Sequence, residues 1–207
     1  MKSPTQSPVN TTNRPRAAVP VLDLAPTGQL PHAVAPSIRH DYEQLVQAER
    51  LTTEEFDYLV GRDGRNSGPG WLSEAYSECK ITAETVTASI GGIWSGAEFP
   101  DRDLDHETWR WLFKVAGFTV DGAPANRPAE AVMLWRGTVP ERRTDWSWTT
   151  DRTIAEGYAA GTAARRPQGR LYVVLAPPEA LLCANNGRSE AEYVIDTHSL
   201  TIHEVTL

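Results

Sequence analysis

The pattern of apolar and polar positions divides this 207-residue chain into three stretches. Up to residue 36 there is little periodicity, and five prolines precede Pro31 (Pro4, Pro8, Pro15, Pro20, Pro26) among Ser, Thr and Asn. That composition predicts a disordered arm. From Ser37 to about Val60 apolar residues recur at helix spacing, first Tyr42, Leu45 and Val46, then Phe56, Leu59 and Val60. In LTTEEFDYLVG, Thr52 or Thr53 serves as N-cap, acids fill the first turn and Gly61 is the expected stop. After the loop 61–70 a second helical stretch runs roughly from Trp71 to Ser95. A third, DHETWRWLFKVAG, starts near Asp105, places Trp109, Leu112 and Phe113 on one side and ends at Gly117. Residues 37–129 therefore read as a helical layer.

After residue 130 the signal changes to strands. EAVMLWRG is a short apolar run closed by Gly137, DWSWTT alternates, GRLYVVLAP is a continuous β-rich run, AEYVID is another, and SLTIHEVTL alternates again. One helix, DRTIAEGYAAGTAA, interrupts them, with Asp151 placed near its N-cap. The expected fold class is α+β, with a β-rich unit over 130–207. No internal repeat of 20 to 50 residues is present.

Composition changes this picture in two ways. No apolar run approaches the roughly 20 residues of a membrane span, and the opening MKSPTQSPVNTTNRPR lacks the apolar stretch of about 7–15 residues that a signal peptide needs. A soluble protein acting in a cytoplasm, its own or one into which it is delivered, is the expectation, with no membrane partner. Net charge is −7, of which residues 1–130 (12 Lys/Arg, 18 Asp/Glu) carry −6 and residues 131–207 (8 against 9) carry −1. Nonspecific nucleic-acid binding needs a basic surface and is disfavoured. Cys79 and Cys183 lie far apart without CxxC or His/Cys spacing, which fits two reduced thiols and predicts no metal site.

Candidate chemistry comes from polar residues at strand positions that would otherwise favour apolar ones. Arg136 ends VMLW, Ser147 and Thr149 share one face of WSWTT, and Glu190 and Glu192 share one face of EAEYVI. Two carboxylates about 6.6 Å apart along a strand repel each other. Such positions cost burial energy unless a partner or ligand uses them. Each also has an ordinary reading: a strand-end arginine in a surface ion pair, an edge strand facing water, or surface acids. If the three strands adjoin, a guanidinium, hydroxyls and paired carboxylates line one cleft.

In that order the segments resemble the mono-ADP-ribosyltransferases of the Arg-Ser-Glu class, which includes cholera-toxin-like, clostridial binary-toxin-like and bacteriophage enzymes. LWRG, SWTT, AEGYA, LYVVLAPPEALL and SEAEYVID carry the resemblance, over about residues 130 to 207. It implies a split antiparallel β-sandwich and transfer of ADP-ribose from NAD+, without metal, to a macromolecule, first a protein arginine and less readily a nucleic acid. Glu192 would hold the ribose and stabilise its developing positive charge, Ser147 would hold Glu192, and Glu190 would activate the nucleophile. Arg136 would pair with phosphate and Gly137 would admit the nicotinamide amide; Thr149 completes that side of the cofactor site. Arg165 and Arg166 occupy the phosphate-loop position, where a solvated charge run is an equal reading. Two alternatives stay open, an NAD+ glycohydrolase using the same cleft and a catalytically silent transferase-like interaction module. The resemblance also brings a toxin or effector setting, with an antitoxin or immunity protein as a further partner.

Overall fold

The computed structural model describes residues 42–161, 167–187 and 191–206. The arm read over 1–36 lies outside them. Six helices come first: α1 (Tyr42–Gln47), α2 (Thr53–Asp63), α3 (Gly68–Ser77), α4 (Ala83–Gly96), α5 (Pro100–Asp103) and α6 (His106–Ala116). The strands follow as β1 (Thr119–Val120), β2 (Ala123–Pro124), β3 (Val132–Thr138) and β4 (Ser147–Thr149). Helix α7 (Arg152–Ala159) precedes β5 (Arg170–Ala176), β6 (Leu181–Asn185), β7 (Glu192–Ile195) and β8 (His203–Val205). The α+β class is as the periodicity predicts. Among the described residues, no helix is long and apolar enough to cross a membrane.

Local chemistry explains most boundaries. Thr52 is the N-cap of α2 in a complete capping box, its hydroxyl accepting from the Glu55 amide while the Glu55 carboxylate accepts from the Thr52 amide at 2.8 Å. Asp105 caps α6 by accepting from the Thr108 amide at 2.8 Å, and Gly117 ends it. Asp151 caps α7 through the Thr153 and Ile154 amides.

Two expectations needed correction. Gly61 does not stop α2, which continues to a C-cap at Gly64, because a single glycine costs a helix only about 1 kcal/mol. The stretch expected as one helix from Trp71 to Ser95 is two: Cys79 takes a left-handed φ of 58°, and Thr82 caps a new start. The short strands β1, β2 and β6 had no periodic signal of their own.

Eight strands form one hydrogen-bonded sheet in the order β2-β1-β6-β7-β4-β3-β5-β8, antiparallel throughout except for β1 with β6. The ladder is weakest at its middle. β3 pairs with β5 over seven positions but with β4 at the single pair Trp135↔Thr149. Either side of that seam, Leu134, Tyr172 and Val174 from one half pack in a common core with Leu181, Ala184 and Ile195 from the other. Helices α1 to α4 and α6 cover Cys183 and Val194 of the sheet's other face, in a core that includes Trp94, Trp109 and Trp146. Trp94 meets Trp109 edge to face at 4.9 Å and stacks on Trp146 at 5.6 Å.

Candidate functional site

Where β3 and β4 part, a cleft of about 610 Å³ opens between the end of α4, helix α7 and strands β3, β4 and β7. Arg136, Gly137, Ser147, Thr149 and Glu192 all line it. Their convergence follows from register: Thr149 sits opposite both Trp135 and Glu192, and Ser147 opposite Val194, so three strands bring these positions together. Glu190, Arg165 and Arg166 lie outside the described residues.

Glu192 is anchored from the helical layer. Its Oε2 accepts a hydrogen bond from the Ser95 hydroxyl and lies 3.2 Å from the Asn185 side-chain nitrogen. That amide also reaches the Ser95 hydroxyl at 2.9 Å, the Gly91 carbonyl at 3.3 Å and the Cys183 sulfur at 3.8 Å, so its two hydrogens are shared among four acceptors. Ser147 does not touch Glu192 through any of these bonds; its hydroxyl accepts from the Trp94 indole at 2.9 Å. Thr149 is buried, its hydroxyl accepting from the Asp151 amide at 3.0 Å at the entry to α7.

Arg136 spans the seam. It donates to the Ser147 carbonyl, to the Arg142 carbonyl at 3.2 Å and to Asp145 at 3.0 Å, and Asp145 also accepts from Arg142 at 2.6 Å. The guanidinium thus closes the gap where the ladder stops and ties down the loop leading into β4. Gly137 has a packing role: a Cβ there would lie 1.9 Å from the Ala155 carbonyl oxygen and 2.4 Å from the Ala159 nitrogen, so the missing side chain is the space through which α7 passes.

Sequence reasoning missed Ser95, Asn185 and Asp101. Ser95 and Asn185 carry no motif, and only the packing of α4 on β6 reveals them. Asp101 lines the cleft with a tenth of its side chain exposed. Burial, then the neighbouring Asp145 charge, pushes its carboxyl above the usual range, against the pull of Arg136, His106 and the Trp146 amide. Burial likewise pushes the Cys183 thiol far up, with the Glu192 charge adding, so that thiol is inert. Among the described residues no group of three His, Cys, Asp or Glu side chains is arranged to hold a metal.

The chain is similar to an enzyme of another kind. It is 24% identical over 204 residues to an AdoMet-dependent rRNA methyltransferase, spb1 of Schizosaccharomyces pombe, a match covering 94% of this chain and 25% of that protein. The chain thus spans about a quarter of the length of the curated relative it matches. No protein-family model and no solved structure matches.

This likeness overturns the ADP-ribosyltransferase identification, and with it NAD+ as cosubstrate, the two alternatives framed on that family, and the toxin, effector and bacteriophage setting. The earlier resemblance rested on short strand motifs confined to residues 130–207, whereas the match runs through the helical layer as well. The structure supplies a physical reason for two of those motif residues to stand where they do. Arg136 is committed to backbone carbonyls and Asp145, and Gly137 to the passage of α7.

Proposed function

We propose that the chain is a methyl-group-transfer enzyme whose cleft takes S-adenosylmethionine, with RNA as the class of acceptor. The observation that carries this reading is Glu192, a carboxylate fixed at the cleft floor by Ser95 and Asn185 through one oxygen. Its other oxygen is the one a ligand meets, and a carboxylate suits paired ribose hydroxyls, as in other nucleoside sites. The donor set fits such a ligand. Three carboxylates, Glu98, Asp101 and Glu192, and three guanidiniums, Arg65, Arg136 and Arg142, line with aromatic rings such as that of Trp135 a space within the ~300–1,000 Å³ typical of small-molecule sites. The carboxylates and ring faces favour a cationic centre and the guanidiniums a carboxylate, and S-adenosylmethionine carries both. Bound there, S-adenosylmethionine would supply an electrophilic methyl group on a positively charged sulfur.

The chain's own residues bind, orient and exclude water. Arg136 holds the β4 entry so that Ser147 and Thr149 keep their places, and the Trp94 indole fixes the Ser147 hydroxyl. In this reading the sheet is a split sandwich whose seam is the binding cleft. RNA as acceptor rests on the relative's name. The −7 net charge means that the chain's own hold on RNA is weak, with a shallow dependence on salt.

Equilibrium dialysis with tritiated S-adenosylmethionine tests the reading. Saturable binding is expected, weakened about tenfold or more in Glu192→Gln, the loss of a hydrogen bond to a charged group, with thermal unfolding unchanged. Absence of saturable binding by the wild-type chain overturns it.

A further inference from the structure

We propose that Asp101 is the proton acceptor of the cleft, with His106 as the residue that positions it; this rests on the transfer reading for its reaction but not for its geometry. Both donors that hold the Asp101 carboxylate, the His106 Nε2 at 3.2 Å and the Trp146 amide at 3.2 Å, meet the same oxygen, Oδ1. Oδ2 has no hydrogen-bond partner among the described residues, and Asp101 is part of the cleft wall. His106 is itself fixed by stacking on Trp146 at 4.4 Å, and Arg110 lies over the same indole at 5.5 Å.

A hydroxyl or ring N–H that gains a methyl group must shed its proton. The acceptor's O–H or N–H bond breaks, its electron pair forms the bond to the methyl carbon, and the bond from that carbon to the sulfonium sulfur breaks with its pair remaining on sulfur. The proton passes to Asp101 Oδ2 and from there to water. A carboxylate held above its ordinary range is a better base for this task than an exposed one. The charged and titratable groups facing Asp101 are His106 from α6, Asp145 from the loop before β4 and Arg136 from β3. Asp145 raises its proton affinity, and Arg136 and His106 lower it.

The test has two readouts on the full chain. The first is a carbon-13 carboxyl titration of the ligand-free protein. Asp101 is expected to titrate above the usual value of about 3.9, and higher still in His106→Leu, which removes a hydrogen bond to the ionised form. The second is the pH dependence of methyl transfer from labelled S-adenosylmethionine to total RNA. The rate should rise with pH through the value found by titration. In Asp101→Asn, which keeps both contacts at Oδ1, kcat should fall about 100-fold and the rising limb vanish, with KM moving less than about threefold. A raised, His106-sensitive titration in a protein that transfers no methyl group supports the positioned base and overturns the transfer reading instead. Ordinary titration of Asp101, or an Asp101→Asn variant with wild-type rate and pH limb, overturns the proposal.

Discussion

Two helices approach the sheet closely at a glycine, and the two contacts differ in what lies opposite. Under α7, a Cβ on Gly137 would meet backbone: the Ala155 carbonyl oxygen at 1.9 Å and the Ala159 nitrogen at 2.4 Å. On α4, a Cβ on Gly91 would meet the end of a side chain, the Asn185 Oδ1 at 2.6 Å. Backbone cannot step aside without moving the helix, whereas an amide can rotate. One contact therefore guards the fold, and the other guards the aim of Glu192, since Asn185 is among the groups that hold it.

Gly137→Ala is the sharpest way to break the first contact. Helix α7 would have to lift from β3, separating Ala155, Ala159 and Leu171, which pack there as a small core of their own. The expected cost is about 3 kcal/mol, read as a shift of the urea midpoint, with the cleft losing one wall. A variant as stable as wild type would show that α7 is not seated as described.

This contrast also marks how far the sequence could be read. Helices with strong caps were legible to within a few residues because Thr52, Asp105 and Asp151 bond locally to their own first turns. The five strands with apolar or alternating runs were legible for the same kind of reason. β6 was not, because LLCAN follows a proline pair and shows neither alternation nor length, and its identity depends on pairing with β1 and β7. The meeting of Arg136, Ser147 and Glu192 in one cleft could be anticipated from polar residues on strand faces. Ser95, Asn185 and Asp101 could not, since nothing local distinguishes a helix-end serine, an asparagine or an aspartate from surface polarity. Gly137 shows the opposite failure: its position was noticed, but the reason for it lies in a helix that passes 18 residues later in the chain, at Ala155.

Gly91→Ala sharpens the second contact with a smaller effect of a different kind. The new methyl group displaces Asn185, and Glu192 loses a neighbour while keeping Ser95. Stability should fall by only about 1 kcal/mol, within the range for one added methyl group. Affinity for S-adenosylmethionine should fall about fivefold to tenfold, the worth of one hydrogen bond. Calorimetry and thermal unfolding on the same sample separate the two effects. Equal losses in both would mean that Gly91, like Gly137, serves the fold.

A third junction joins helix to sheet through charge, and it should be the weakest of the three. Arg110 on α6 donates to both oxygens of Asp196, just after β7, at 2.6 and 3.0 Å, and the His198 amide donates at 3.0 Å. Burial alone would raise the Asp196 carboxyl, but Arg110 and the His198 amide together hold it below its usual range. The sign follows from linkage: a carboxyl depressed in the folded state contributes stability above its unfolded value, near pH 4, and loses it as pH falls through the lower folded value. Asp101, raised in the folded state, has the opposite slope, favouring the fold most when protonated. Because the pair is partly exposed, Asp196→Asn should cost no more than about 1 kcal/mol at pH 7, less in high salt, with the difference from wild type closing in acid. Unfolding curves from pH 3 to 7 measure it. A deficit that persisted undiminished at the acid end would mean that the asparagine disturbs packing at this junction, and that charge is not what joins α6 to β7.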